Sequence, residues 1–167
     1  MTIRSATPRT DVVLGLGQMH VTNEADAVLV CLGLGSCVAI CAYDPIAGVA
    51  GMAHIVLPAA SNGAAPHPKF ADSAIPLIIQ QMQELGALKG RMAVKIVGGA
   101  QMVGAHGTIG VMNIGASNVE AVTNALTQQG LHIQAAEVGG NHGRTARFFA
   151  DSGVVLVSKA GGESHEL

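Results

Sequence analysis

The sequence has very few aromatic and charged residues. Its 167 residues include no Trp, one Tyr and three Phe, and only 12% are Asp, Glu, Lys or Arg, against roughly 25% in ordinary soluble domains. With a net charge of −2 as well, the chain lacks both the basic surface and the aromatic stacking platforms of nucleic-acid-binding proteins. The composition therefore argues against nucleic acid as a partner.

Long apolar runs are also missing, although the mean hydropathy is +0.42. The longest uncharged stretches, 27–43, 45–68 and 96–119, are interrupted by glycine, proline or other polar residues, whereas a membrane-spanning helix needs about 20 predominantly apolar residues. The first residues carry no apolar run of the kind found in secretory signals. These absences predict a cytoplasmic protein without membrane insertion.

Cysteine is scarce, with three residues at positions 31, 37 and 41. An odd number in a chain without a visible signal peptide argues against a disulfide framework. We expect free thiols.

Aliphatic residues and glycine are abundant, since 49% of the chain is hydrophobic and 22 residues are Gly. The length fits one domain, 1–167, and alternation with turn signals predicts a β-rich fold with two helices. One helix would be capped by Asp72 and end at Gly86, and the other would be capped by Ser117 or Asn118 and end at Gly130. Strands are predicted at 12–16, 27–32, 38–43, 49–57, 93–97, 131–138, 146–149 and 154–157. The fold class is therefore α/β (α+β), a sandwich of packed mixed sheets flanked by helices.

The segment 31–37, CLGLGSC, suggests three kinds of site. A dinucleotide fingerprint needs a third glycine where Val38 stands, so we set it aside. A metal site could recruit the three cysteines and His54, but no Cys-x-x-Cys pair supports it. The third possibility is a nucleophilic Cys37, with His54 as its base and the Ser36 and Cys37 amides as an oxyanion site.

The spacing of Cys37 and His54 fits that third possibility. His54 follows Cys37 by 17 residues, and the Asp44-Pro45 turn signal predicts a hairpin over 38–57 that brings the two strands together. A cysteine among aliphatic residues is equally typical of simple packing, and a histidine on an apolar strand is often a core residue. On the residues alone, both interpretations stay open.

Several motifs together resemble the CheD family of chemoreceptor glutamine deamidases over about residues 12–162. Their order and spacing carry the resemblance more than any one of them does. The motifs are LGLGSCVA at 32–39, Asp44-Pro45, GMAH at 51–54 with Leu57-Pro58, KIVGGA at 95–100, NIGA at 113–116 with Asn118, and GGN at 139–141 with Arg144.

This resemblance implies a protein-glutamine glutaminase with a fold like that of the toxin deamidases. Cys37 would be the nucleophile and His54 its base, in a reaction that converts receptor glutamine to glutamate through a thioester without metal or organic cofactor. Gly35, Asn141 and Arg144 are candidates for contact with the substrate, although Asn141 and Arg144 would equally serve to anchor a turn.

The implied partners are the cytoplasmic helices of methyl-accepting chemotaxis receptors, together with the phosphatase CheC. An alternative function is that of a weakly active or inactive module that regulates CheC. Cys31 leaves room for this alternative, because it stands where the family often has a threonine that orients the histidine. A thiol hydrogen-bonds more weakly than a hydroxyl, and Cys31 also fits simple packing.

Overall fold

The computed structural model describes residues 7–102 and 113–167. Most of the glycine-rich stretch between Gly99 and Gly115, for which the sequence predicts no regular element, lies outside these ranges. The strands are β1 (Thr10–Val13), β2 (Met19–Thr22), β3 (Ala27–Leu34), β4 (Val38–Asp44), β5 (Val49–Ile55), β6 (Ala93–Gly98), β7 (Ile133–Val138), β8 (Arg144–Phe149), β9 (Val155–Lys159) and β10 (Ser164–Glu166). The helices are α1 (Ala71–Glu84) and α2 (Ile114–Gln128), with one 3₁₀ turn at Lys89–Arg91.

The strands form two five-stranded mixed sheets. The first has the order β1-β3-β8-β9-β10, in which only β1 and β3 are parallel. The second has the order β2-β5-β4-β6-β7, in which only β6 and β7 are parallel. The predicted hairpin is confirmed, because β4 and β5 pair antiparallel along their whole length.

Two apolar clusters hold three layers together. One lies between the sheets and contains residues such as Leu29, Met52 and Phe148. The other lies between the second sheet and both helices and contains residues such as Ile40, Ile78 and Leu126. Strands β4 and β5 are therefore buried on both faces, which explains their nearly continuous apolar sequences. The predicted sandwich flanked by helices is confirmed.

The predicted starts of both helices need correction. Helix α1 begins at Ala71 rather than after Asp72, because the Ala71 N–H donates to the carbonyl of Leu57, a contact with a distant strand end. Helix α2 begins at Ile114, because Asn113 is the N-cap and its side chain accepts the N–H of Ala116 at 3.0 Å. Caps at Ser117 or Asn118 were therefore wrong, and Asn118 lies inside the helix.

The reversal between β4 and β5 depends on a buried carboxylate. Asp44 is fully buried, and its carboxylate accepts N–H groups from Ile46, Ala47 and Leu88 and pairs with Arg91 at 2.8 Å. Burial alone would raise the pKa of Asp44, but the hydrogen bonds from Arg91 and from the three backbone amides hold the pKa well below its ordinary value. The ionised side chain thus fixes the turn.

We expect Asp44→Asn to lower the free energy of unfolding at pH 7 by about 2–3 kcal/mol, because hydrogen bonds to a charged group are lost. The folded-state pKa is depressed, so this stabilisation is present above the unfolded pKa of about 4 and declines as the pH falls below it, by at most about 1.4 kcal/mol per pH unit. Urea unfolding of the wild type and of Asp44→Asn at several pH values measures the difference in their free energies of unfolding.

The matched control is Asp11→Asn, which removes an exposed ion pair with Arg147 at 2.7 Å. Exposed pairs contribute about 0–1 kcal/mol. A difference between wild type and Asp44→Asn that stays constant down to acid pH would contradict the assigned role.

Candidate active site

The register of β4 and β5 brings Cys37 and His54 onto the same face of the second sheet. Ala39 pairs directly with His54, and Val38 pairs with Ile55. Cys37 directly precedes β4, and its side chain packs against the apolar cluster that contains Ala39, so it lies on the same side of the sheet as His54. Continued by one residue, the register would make Cys37 a diagonal neighbour of His54, at about 7–8 Å. Both lie at one end of the layer between the sheets, where Cys37 packs against the apolar cluster.

His54 is held by the loop that connects β1 to β2. Its Nδ1 lies 3.1 Å from the carbonyl oxygen of Leu14, its backbone N–H donates to Gln18, and its carbonyl accepts the N–H of Gly17. The ring is buried, with 4% of the residue surface exposed. Because a carbonyl only accepts, Nδ1 carries the hydrogen, and Nε2 is the nitrogen that can take a proton from a thiol.

The loop before β4 is anchored through three consecutive carbonyl groups. The Gly35 carbonyl accepts the N–H of Ala100 at 2.8 Å, and the Cys37 carbonyl accepts the N–H of Gly99 at 2.8 Å. The Ser36 carbonyl between them accepts the side-chain amide of Asn118 at 2.9 Å. Within the described ranges, the N–H groups of Ser36 and Cys37 donate to no acceptor. Two adjacent donors beside the thiol are thus available to bind a developing oxyanion.

Gly98 allows this loop to pack closely on β6. Its φ is +115°, and a Cβ atom there would overlap the carbonyl oxygen of Cys37. The backbone of β6 therefore approaches the loop 35–37 more closely than any side chain would permit.

Burial controls the state of the three thiols. Cys37 is half-buried, and desolvation raises the pKa of its thiol. Desolvation, with a smaller contribution from Cys37, raises the pKa of Cys31 to about 12, and burial also raises that of Cys41 well above its ordinary value. Cys31 and Cys41 are therefore unreactive core residues, and Cys37 is protonated at rest and needs a base.

Cys31 does not hydrogen-bond His54 in the described structure. It is completely buried, and its Sγ donates to the Sδ of Met52 at 3.8 Å. The described partner of the imidazole is the Leu14 carbonyl, at 3.1 Å from Nδ1.

The three candidate substrate contacts have different environments. Gly35 is half-buried beside the exposed Met102, and Asn141 is exposed. Arg144 is 5% exposed; its Nη1 donates to Gly98 at 3.4 Å, and its Nε lies 3.3 Å from Glu137. Contact of these residues with a substrate stays a prediction.

The sequence did not indicate the groups that position the site. Leu14 acts through its carbonyl, which every residue possesses. The segment 15–18, GLGQ, carried the signal of a tight loop in its two glycines, and Asn118 belonged to a recognised motif without an assigned role.

Metal and membrane features are not found in the described residues. Residues 7–102 and 113–167 contain no cluster of three or more His, Cys, Asp or Glu side chains suited to a metal ion. Neither helix in these ranges has the length and apolar character needed to cross a bilayer.

A family model described as CheD chemotactic sensory transduction matches residues 56–159. The probable chemoreceptor glutamine deamidase CheD of Symbiobacterium thermophilum is 41% identical over 92% of this chain and 95% of its own length. The chain belongs to the CheD family. The chemoreceptor glutamine deamidase CheD of Thermotoga maritima is 41% identical over 90% of this chain and 92% of its own, and the probable CheD of Archaeoglobus fulgidus is 38% identical over 92% and 97%.

The range matched by the CheD family model begins after both Cys37 and His54, whereas these relatives align with about nine-tenths of the chain. A crystal structure of the Bacillus licheniformis hypothetical protein YfiH covers 71% of this chain and 49% of its own at 14% identity. Its TM-score of 0.41 is too low to support a structural argument.

We expect the rate of Cys37 alkylation by iodoacetamide to rise with pH to beyond pH 8.5, because burial raises the pKa of this thiol and only the thiolate reacts. Mass spectrometry of the alkylated peptide gives the rate at each pH. A plateau already reached at neutral pH would contradict this expectation and indicate a resting thiolate–imidazolium pair.

We expect Gly98→Ala to reduce activity by about 10- to 100-fold, since displacement of a catalytic group by about 1 Å costs that much. Gly130→Ala is the matched control, because Gly130 has φ +70° and open space around it. A positive φ costs both variants about 1–2 kcal/mol, and only Gly98→Ala adds the overlap with the Cys37 carbonyl. Equal activities in the two variants would exclude a role for the close approach to Cys37.

Proposed function

We propose that the chain is a protein-glutamine deamidase that converts glutamine side chains of chemotaxis receptors to glutamate. The CheD relatives bear this activity in their names. The observation that supports it most in this chain is the anchored loop 35–37, whose Ser36 and Cys37 amides donate to no acceptor among the described residues and adjoin the Cys37 thiol. His54, with its tautomer set by Leu14, lies on the neighbouring strand.

The first half-reaction forms a thioester. Nε2 of His54 takes the thiol proton of Cys37, and the sulfur bonds to the side-chain carboxamide carbon of the substrate. The amides of Ser36 and Cys37 hydrogen-bond the resulting oxyanion. As the carbon–nitrogen bond breaks, the His54 imidazolium gives its proton to the nitrogen, which leaves as ammonia.

The second half-reaction hydrolyses the thioester. His54 Nε2 removes a proton from water, the hydroxide attacks the acyl carbon, and the same two amides hold the second oxyanion. The carbon–sulfur bond then breaks, the His54 imidazolium returns its proton to the sulfur, and the products are glutamate and the regenerated thiol. The Leu14 carbonyl stabilises the imidazolium in both steps through its hydrogen bond with Nδ1.

The physical argument for a general base is the elevated pKa of Cys37. A thiol buried in this way is a weak nucleophile at neutral pH unless a neighbouring group takes its proton during attack. His54, on the same face and with Nε2 unprotonated in its neutral form, is suited to that task.

The proposed substrate helices belong to the cytoplasmic part of the receptors, so we further propose that the protein acts in the cytoplasm. CheC as a second partner follows from the family resemblance alone and stays a prediction.

We expect Cys37→Ala to abolish deamidation and Cys31→Ala to retain activity within about threefold. Cys37 is the assigned nucleophile, whereas the buried Cys31 contacts Met52 and leaves the orientation of His54 to Leu14. The assay incubates each protein with a glutamine-bearing cytoplasmic receptor fragment in heavy-oxygen water and maps labelled glutamate by mass spectrometry.

Cys31→Ala also creates a small cavity, so its folding is checked by thermal unfolding before the rates are compared. Full activity of Cys37→Ala would overturn the mechanism. A loss greater than tenfold in folded Cys31→Ala would restore an orienting role to that thiol.

A further inference from the structure

Asn118 connects the nucleophile loop with the end of the base-bearing strand. It lies in α2 and is completely buried. Its Nδ2 donates at 2.9 Å to the carbonyl of Ser36, directly before Cys37, and at 2.9 Å to the carbonyl of Val56, two residues after His54. One side-chain amide therefore bridges the two segments that carry the proposed chemistry.

The bridge occurs where regular pairing of β4 and β5 stops. The last paired residues are Val38 and Ile55, and the next pair would be Cys37 with Val56. These two instead bond elsewhere, since Cys37 accepts from Gly99 and the Val56 N–H donates to Lys69. The Asn118 amide takes the place of the missing ladder bonds and holds the strand ends together while Cys37 stays unpaired with β5.

The arrangement has a cost in stability. Two carbonyl acceptors require Nδ2 to face them, and Oδ1 is then left buried without a donor in the described residues. A buried acceptor without a partner destabilises the fold by about 1–3 kcal/mol. A buried polar atom without a partner calls for an explanation, and a role in positioning the loop supplies one.

We propose that Asn118 is a positioning residue that orients the Cys37 amide of the oxyanion site. The inference rests on the proposed function of Cys37 as an acyl-transfer nucleophile. With the Ser36 carbonyl drawn toward α2, the peptide plane joining Ser36 to Cys37 is fixed, and its N–H belongs to Cys37. Loss of the Asn118 amide frees this plane to rotate.

Two reactions of the same thiol separate this role from general structural support. Acetylation by p-nitrophenyl acetate forms a carbon–sulfur bond, expels p-nitrophenolate and passes through an oxyanion, so it depends on the amide donors. Alkylation by iodoacetamide displaces iodide at a saturated carbon and forms no oxyanion. The Cys37→Ala protein gives the background for both reactions.

We expect Asn118→Ala to slow acetylation of Cys37 by about 100-fold, the effect of misplacing a catalytic group by about 1 Å. Alkylation is expected to change by less than threefold. Asn118→Ser, with one hydroxyl donor, is expected to fall between wild type and Asn118→Ala in acetylation, and it replaces Asn118→Ala if that variant does not fold.

Asn113→Ala is the matched control, because it removes an asparagine from the N-cap of the same helix, where its side chain accepts the N–H of Ala116. Loss of this N-cap lowers helix stability by about 1 kcal/mol. The acetylation and alkylation rates of this variant therefore show the effect of reduced helix stability alone. Unchanged acetylation in the Asn118 variants, or an equal fall in both reactions, would overturn the proposal. If p-nitrophenyl acetate acetylates Cys37 of the wild-type protein but the protein leaves receptor glutamines unchanged, the proposed substrate is refuted and the inference about Asn118 stands.

Discussion

The antiparallel register of β4 and β5 is the constraint on which the candidate site depends. Pairing of Ala39 with His54 puts the imidazole and the Cys37 thiol on the face between the sheets. A slip of one residue would turn His54 toward the helices and separate the two groups. Burial of both faces makes such a slip costly, and the Asp44 carboxylate fixes the turn at the opposite end of the hairpin. A buried charge remote from the thiol thus helps to align it.

Near the thiol, neutral groups do the positioning. A backbone carbonyl orients His54, and two backbone N–H groups and one side-chain amide anchor the loop 35–37. Positioning by uncharged groups is consistent with a chain in which only 12% of the residues are charged. It also explains the chemistry expected of Cys37, because burial raises the thiol pKa and only a correctly placed base offsets that effect during attack.

The site includes one feature that weakens the fold. Asn118 has a buried oxygen without a donor in the described structure, and such an acceptor costs about 1–3 kcal/mol. Gly98, whose positive φ glycine adopts without strain, leaves room for the Cys37 carbonyl. Two apolar clusters, which share β4 and β5, supply the stability that holds these residues in place.

Periodicity and turn chemistry were sufficient to predict the central strands, the hairpin and both helices, because burial on defined faces leaves a pattern in residue types. The edge strands β2 and β10 were not predicted, because they are short and the wholly exposed β10 has no alternation of buried and exposed residues. Both helices begin at other residues than predicted, because a contact with Leu57 sets the start of α1 and the Asn113 cap sets the start of α2.

By itself, the sequence determined the thiol, the histidine and their shared hairpin. The tertiary structure alone decided that Leu14, 40 residues from His54, would orient the imidazole, and that Asn118, 82 residues from Ser36, would hold the loop. A backbone carbonyl has no residue-type signature, and a buried amide acquires its role only from what the fold brings beside it.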